Sequence, residues 1–277
     1  MPVYLLLALV FSLITTLPLA WKWGLGVGRA ALAAAIVSLT TGALMQLILV
    51  WSGYSLATAL KAAMNWLLTV AALVGLLAYR FFRDPERRIP LSPNAILSPA
   101  DGEVLYVRRS REGVLPVSTK SGRSYTLQEL TKTPLQMKEA VVIGIGMSLL
   151  DVHVNRAPIG GVIATKQHFR GLFGSLRRPE MVFQNERMTT ILERHDLQVA
   201  VVQIASRLVR QICSFVQLHQ QVERGERIGM IRFGSQVDLV LPHRPGLEVT
   251  VRPGNRVTAG ESIVAVLPGS PSSSLEA

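Results

Sequence analysis

The spacing of hydrophobic residues changes character once along this chain. From Val3 to Trp21, Ala30 to Trp51 and Ala62 to Tyr79 the apolar residues run almost unbroken. Each run approaches the roughly 20 residues a helix needs to cross a hydrocarbon core about 30 Å thick. Three membrane spans are expected. Beyond residue 80 the apolar runs are short, rich in Val and Ile, and bounded by Gly, Pro and Asp. They are Gly102 to Val107, Ala140 to Ile145, Gly161 to Ala164, Thr189 to Leu192, Val199 to Ile204, Ile212 to Val216, Val237 to Leu241 and Ile263 to Leu267. Runs of this length and branching predict strands. Only Thr126 to Thr133 and Ser148 to Val152 read as short helices. The expectation is a membrane region over 1–79 followed by a mostly β (α+β) domain over 80–277.

Charge follows the same division. The first 79 residues hold no Asp or Glu and only Lys22, Arg29 and Lys61, whereas residues 80–277 carry 26 basic residues against 18 acidic ones, a net charge of +8. The three early charges fall at span ends, where they avoid the roughly 2.5–3.5 kcal/mol a charge costs at mid-bilayer. All four tryptophans lie in the apolar region, and Trp21, Trp23 and Trp51 sit at span ends, as amphipathic rings prefer. Basic residues cluster after the first span (Lys22, Arg29) and after the third (Arg80, Arg83, Arg87, Arg88). That bias orients the C-terminal domain toward the cytoplasm, and the expected location is the cell inner membrane with this domain on its cytoplasmic face. The alternative for the first span is a cleaved signal peptide ending near Ala20, but Met-Pro-Val-Tyr lacks the positive start such peptides use. The single cysteine, Cys213, excludes an internal disulfide and reads as strand packing. The basic surface comes with no recognition helix or aromatic platform, so a lipid surface is expected as partner rather than nucleic acid. No metal site is expected.

Two segments echo one another: Val222-Glu223-Arg224-Gly225-Glu226-Arg227-Ile228 and Val257-Thr258-Ala259-Gly260-Glu261-Ser262-Ile263 both read V-x-x-G-E-x-I. Each glycine can supply the positive φ of a tight turn. The pattern suggests a swapped-hairpin, lipoyl/biotinyl-like β architecture. It also supplies a rival reading, a membrane-anchored hairpin module that binds rather than catalyses, although neither echo offers a lysine for a prosthetic group.

The candidate chemistry lies in Arg232-Phe233-Gly234-Ser235-Gln236-Val237-Asp238, where a Gly-Ser pair heads a strand-like run. A Gly-Ser pair alone is usually a turn. On residue types alone, Asp101-Gly102 after Pro99 is also a turn, and His153 beside Asp151 is a histidine making local hydrogen bonds. Taken together and in order, F-F-R-D-P-E-R (81–87), S-P-A-D-G (98–102), D-V-H-V-N-R-A-P (151–158), N-E-R (185–187) and G-E-R-I-G-M-I-R-F-G-S (225–235) resemble the phosphatidylserine decarboxylase family in its short bacterial and archaeal form. The resemblance covers most of residues 80–268.

What the resemblance implies is specific. The chain cuts itself between Gly234 and Ser235 into 1–234 and 235–277, and Ser235 becomes a pyruvoyl cofactor, a carbonyl that forms a Schiff base with the substrate amine and accepts the electrons released with CO2. His153 serves as general base, with Asp101 orienting it as in Ser-His-Asp arrangements. The substrate is phosphatidylserine and the product phosphatidylethanolamine; the same headgroup on an archaeal ether lipid, archaetidylserine, is the alternative. The cleaved fragment stays as a second subunit, and a homodimer is left open. Longer members carry H-x-x-H where this chain has His153-Val154-Asn155-Arg156. His153 is then left to serve both steps unless another acid acts, and Arg156 is a candidate to bind the lipid phosphate or carboxylate.

Overall fold

The computed structural model describes residues 2–116, 124–135, 137, 139–176, 178–206, 211–232 and 235–268. It divides into two compact units, Met1–Arg83 with Ser148–Leu150, and Asp84–Met147 with Asp151–Ala277.

The first unit is built on α1 (Val3–Trp23), α2 (Val27–Ser52) and α3 (Thr58–Phe82). At about 1.5 Å per residue, helices of this size are roughly 30–40 Å long, and all three are long and apolar enough to cross a membrane. Each overruns the apolar stretch that announced it, because the polar and aromatic span ends remain helical. Large apolar side chains point outward, Leu47 and Val50 among them, while small or polar residues such as Ala8, Ser12, Ala34, Ser38 and Asn65 face inward. Lipid removes the hydrophobic drive between helices, so close packing and interhelical hydrogen bonds must hold them. Asn65 supplies these: its Nδ2 donates to Ser38 O (3.1 Å) and its Oδ1 accepts from Thr41 Oγ1 (2.6 Å).

The second unit is mostly β. Its strands are β1 (Ala95–Leu97), β2 (Gly102–Arg109), β3 (Val114–Leu115), β4 (Tyr125–Thr126), β5 (Ala140–Met147), β6 (Val154–Arg156), β7 (Gly161–Phe169), β8 (Arg187–Arg194), β9 (Leu197–Ala205), β10 (Ile212–Ser214), β11 (Gln221–Val222), β12 (Arg227–Ile231), β13 (Ser235–Pro242), β14 (Glu248–Val249), β15 (Arg256–Val257) and β16 (Ile263–Val266). Two short helices, α4 (Leu127–Thr131) and α5 (Met181–Gln184), complete it. Eight strands form one curled antiparallel sheet in the order β11-β7-β8-β9-β13-β5-β2-β15. Its strand β13 alternates Val237, Leu239 and Leu241 into one apolar core with Asp238 and Val240 toward another. Both faces of the sheet are therefore buried, which is why β13 and β9 read as mostly apolar rather than alternating runs.

The sequence echo corresponds to a repeated arrangement. Gly225 and Gly260 both have positive φ, +82° and +75°, and their turns pack around the same Ile89 side chain. The amides of Leu97 and Arg156 donate to Pro158 O (3.0 Å) and Pro99 O (2.9 Å) in matching fashion. β1 pairs with β16 as β6 pairs with β12, and β2 with β15 as β7 with β11.

Two expectations need correction, and three strands were not anticipated. Ser148 to Val152 is a turn rather than a helix; a five-residue stretch cannot repay helix nucleation without tertiary support. The strand expected over Gly161 to Ala164 continues through polar Thr165–His168 to Phe169, past a register irregularity between Ile163 and Thr165. β1, β6 and β12 had no apolar run of their own long enough to announce them; their partner strands and shared turns define them.

Candidate active site

Ser235 is the first residue of β13, the strand flanked by β5 and β9, and it pairs with Met147 on one side and Ala205 on the other. Gly234 lies outside the described residues. Asp101 immediately precedes β2, whose Glu103 pairs with Gly146, next to Met147. The register therefore puts Ser235 and Asp101 at the same end of the sheet. β12 ends at Ile231, three residues before Gly234, and the Ile231 amide donates to His153 O (3.3 Å). His153 thus flanks the strand that leads into Ser235.

His153 is fully buried. Its Nδ1 lies 2.9 Å from Asp151 O, and a carbonyl only accepts, so the neutral ring carries its proton on Nδ1 and the basic lone pair on Nε2. Burial pushes its pKa down to about 4, against an upward pull from the Asp151 carbonyl and carboxylate. The ring is neutral at physiological pH. The orienting group that the sequence suggested for it, Asp101, is occupied elsewhere: both its oxygens accept from Arg87 Nη2 at 2.9 Å, and Oδ1 also accepts from Ala259 N at 2.8 Å. The geometry gives His153 a backbone carbonyl as its anchor, and gives Asp101 a cation and a turn.

Arg156 likewise meets a different environment from the one expected. It is 4% exposed, and its guanidinium donates to Gly225 O (3.0 Å), Pro85 O (3.0 Å) and Asp84 Oδ1 (3.2 Å). Asp84 also pairs with Arg227, which bonds Glu86 at 2.8 Å. The 84–87 segment is thus a strap of ion pairs that fixes Arg156, Arg227 and Asp101. The N-E-R motif also serves packing in part. Arg187, 0% exposed, donates to Leu130 O (2.5 Å) and Asn185 O (3.0 Å), and burial lowers its pKa to about 10. Glu186 holds His168 Nε2 at 2.9 Å.

Sequence reasoning missed Asn155. It follows His153 by two residues and so shares its strand face. Asn155 is 0% exposed, and its Oδ1 accepts from Gln203 Nε2 (2.8 Å). Among the described residues the acceptor for its Nδ2 is Met147 Sδ, 4.0 Å away, and a thioether is a weak one. Met147 is the residue opposite Ser235. A buried donor without a strong acceptor is uncommon and asks for a function. The only sequence signal was its place two residues after the histidine.

On the other side of the sheet, Asp238 accepts from Tyr106 Oη and Gln236 Nε2, each at 2.7 Å. Burial raises its pKa to about 6 despite those bonds and the nearby Arg108 and Arg187. Burial and Asp238 together push Tyr106 well above its ordinary value.

An apolar helical unit long enough to cross a membrane, joined to a β domain that sets Ser235 and Asp101 at one end of its largest sheet, fits a membrane-associated enzyme. Comparison with known proteins gives the class its family. The family model described as phosphatidylserine decarboxylase matches residues 74–265. The chain is 37% identical over 203 residues to a phosphatidylserine decarboxylase proenzyme of Ralstonia nicotianae, covering 73% of this chain and 78% of that one. A proenzyme of the same name from Geotalea uraniireducens is 33% identical, with 76% and 90% covered. A Methanothermobacter thermautotrophicus protein provisionally named archaetidylserine decarboxylase proenzyme is 39% identical, with 67% and 78% covered. The chain belongs to the phosphatidylserine decarboxylase family and is a decarboxylase. These relatives do not favour the non-enzymatic hairpin module.

Proposed function

We propose that this chain converts phosphatidylserine to phosphatidylethanolamine at the inner membrane, its domain on the cytoplasmic face, after cutting itself between Gly234 and Ser235. The observation that carries this reading is the register of Ser235, at the head of a strand bonded on both sides and next to the strand that His153 flanks. Self-processing needs few parts. His153 Nε2 takes the proton as Ser235 Oγ attacks the Gly234 carbonyl and returns it to the departing Ser235 nitrogen, so the amide C–N bond breaks and an ester forms. Loss of the Ser235 Cα proton then expels the Gly234 carboxylate from Cβ, and water hydrolyses the resulting enamine with release of ammonia. Asn155 Nδ2 is the donor we assign to the negative oxygen that develops in the first step.

The residues present suit a pyruvoyl group. A new terminus at 235 stays seated because β13 remains paired with β5 over eight residues and with β9 over six. Both fragments thereby persist as subunits, and further β15–β2 and β16–β1 pairs bind the shorter one. Once formed, the group supplies the electron-withdrawing carbonyl that decarboxylation of an amino acid headgroup requires. His153 and Asn155 flank that end of the strand, and Arg156 holds the 84–87 strap in place rather than the lipid phosphate. The repeated turns at Gly225 and Gly260 support a swapped-hairpin, lipoyl/biotinyl-like reading of the domain. The resemblance to the Methanothermobacter protein favours archaetidylserine as the second substrate to assay.

Denaturing electrophoresis and intact mass test the proposal. The expected product is a 43-residue fragment starting at residue 235, blocked to amine sequencing and lost in Ser235→Ala. Active protein consisting of one uncut chain overturns it.

A further inference from the structure

A groove of about 410 Å³ opens between α1, α2 and α3. Its walls are apolar, with Leu19, Ala33, Val70, Leu73 and Leu77 among them, and Trp23, Arg29 and Arg80 also line it. The three helices are linked by short loops, so the C-terminal end of α1, the N-terminal end of α2 and the C-terminal end of α3 lie together. Both arginines therefore stand at one end of the groove, beside an interfacial tryptophan. Neither has a hydrogen bond or ion pair among the described residues, and residues 1–83 contain no acid to offer one. The α1–α2 loop makes room for one of them. Gly26 has φ +82°, and a Cβ there would lie 2.9 Å from Arg29 Nε.

An apolar cleft in a bilayer fills with hydrocarbon. Two unpaired guanidiniums at its headgroup end call for an anion, and a phosphodiester is the anion the bilayer carries at that depth. We infer that the groove is a binding site for a single glycerophospholipid of acidic headgroup, one acyl chain between the helices and its phosphate between Arg29 and Arg80. The site rests on the membrane reading of α1–α3 and not on the chemistry at Ser235. Choline lipids, whose headgroup carries no net charge, bind more weakly than phosphatidylserine, whose carboxylate leaves it net negative. The site holds such a lipid at the helical unit, where an acidic lipid substrate would first be captured.

The test is native mass spectrometry of the full chain in detergent, delipidated and then titrated with phosphatidylserine, phosphatidylcholine or inorganic phosphate. No turnover is read, so failure of the decarboxylase proposal leaves this result interpretable. Wild type should retain one phosphatidylserine, with retention at least about tenfold lower in Arg29→Gln/Arg80→Gln, equivalent to about 1.4 kcal/mol. Gly26→Ala should weaken binding with both charges kept, and Ala33→Phe should block it by filling the groove. Circular dichroism confirms that each variant stays helical. Equal retention of choline lipid, binding of phosphate alone, or loss in the arginine variants without loss in Ala33→Phe each overturns the site.

Discussion

The protonation of His153 yields the sharpest prediction. An ordinary histidine of pKa about 6.5 is roughly 91% neutral at pH 7.5 and 9% neutral at pH 5.5, a tenfold change in available base. With the pKa pushed down to about 4 by burial, the neutral fraction stays above about 95% over the same range. Asp151 is the charged group that counters the burial, and Arg256 in turn pairs with its carboxylate. Cleavage of freshly translated full chain in nanodiscs, followed on gels, should therefore run at nearly constant rate from pH 7.5 to 5.5 and fall only toward pH 4. His153→Ala should slow it by about 10²–10⁴, the usual contribution of a positioned base. A base of such low pKa is weak, but each molecule cuts itself only once, so a slow step suffices. A tenfold drop between pH 7.5 and 5.5 with a midpoint near 6.5, or normal maturation of His153→Ala, refutes the assignment.

Stability should show two opposed pH effects. His153 refuses a proton that the unfolded chain accepts below about pH 6.5, so its contribution is complete above that pH and is lost as pH falls toward 4. Asp238, raised from 3.8 to about 6, acts in reverse: its contribution is complete below 3.8 and lost as pH rises through 6. Asp238→Asn should uncover a loss of about 3 kcal/mol between pH 6.5 and 4, at about 1.4 kcal/mol per unit, measured as unfolding midpoint against pH; a flat profile in that variant contradicts the assignment. Asp101→Ala strips a mostly buried partner from Arg87 and should destabilise by about 3–5 kcal/mol, with a double-mutant cycle against Arg87→Ala returning strong coupling. Gly229→Ala would bring a Cβ to 2.6 Å from Cys213 O and 3.0 Å from Gln203 Nε2; a loss of about 1–3 kcal/mol and slower cleavage, through displacement of Asn155, are expected. Asn65→Leu should weaken the helical unit by about 0.6–1.7 kcal/mol, read as a lower unfolding midpoint in detergent.

The helical unit and the Val- and Ile-rich strands were legible because their signal is local: an apolar run names its own element whatever it packs against. The short strands β1, β6 and β12 were not, since a strand of three to five residues is defined by its partners. The same holds at the site. Ser235, His153 and Asp101 stood out by motif, but the partner of each depended on how distant segments meet. Asp101 turned out to face Arg87 and Ala259, and Arg156 to be enclosed by Asp84, Pro85 and Gly225.

Composition and order alone determined that this chain has a membrane part and a β part, and which residue types could react, because hydrophobicity and residue chemistry are properties of the residues themselves. Which ring nitrogen of His153 holds the proton, that Asn155 Nδ2 meets only a weak thioether acceptor among the described residues, and that two arginines line one end of an apolar groove were decided only by folding. Those properties depend on burial and on neighbours far apart in sequence, and both exist only once the chain is packed.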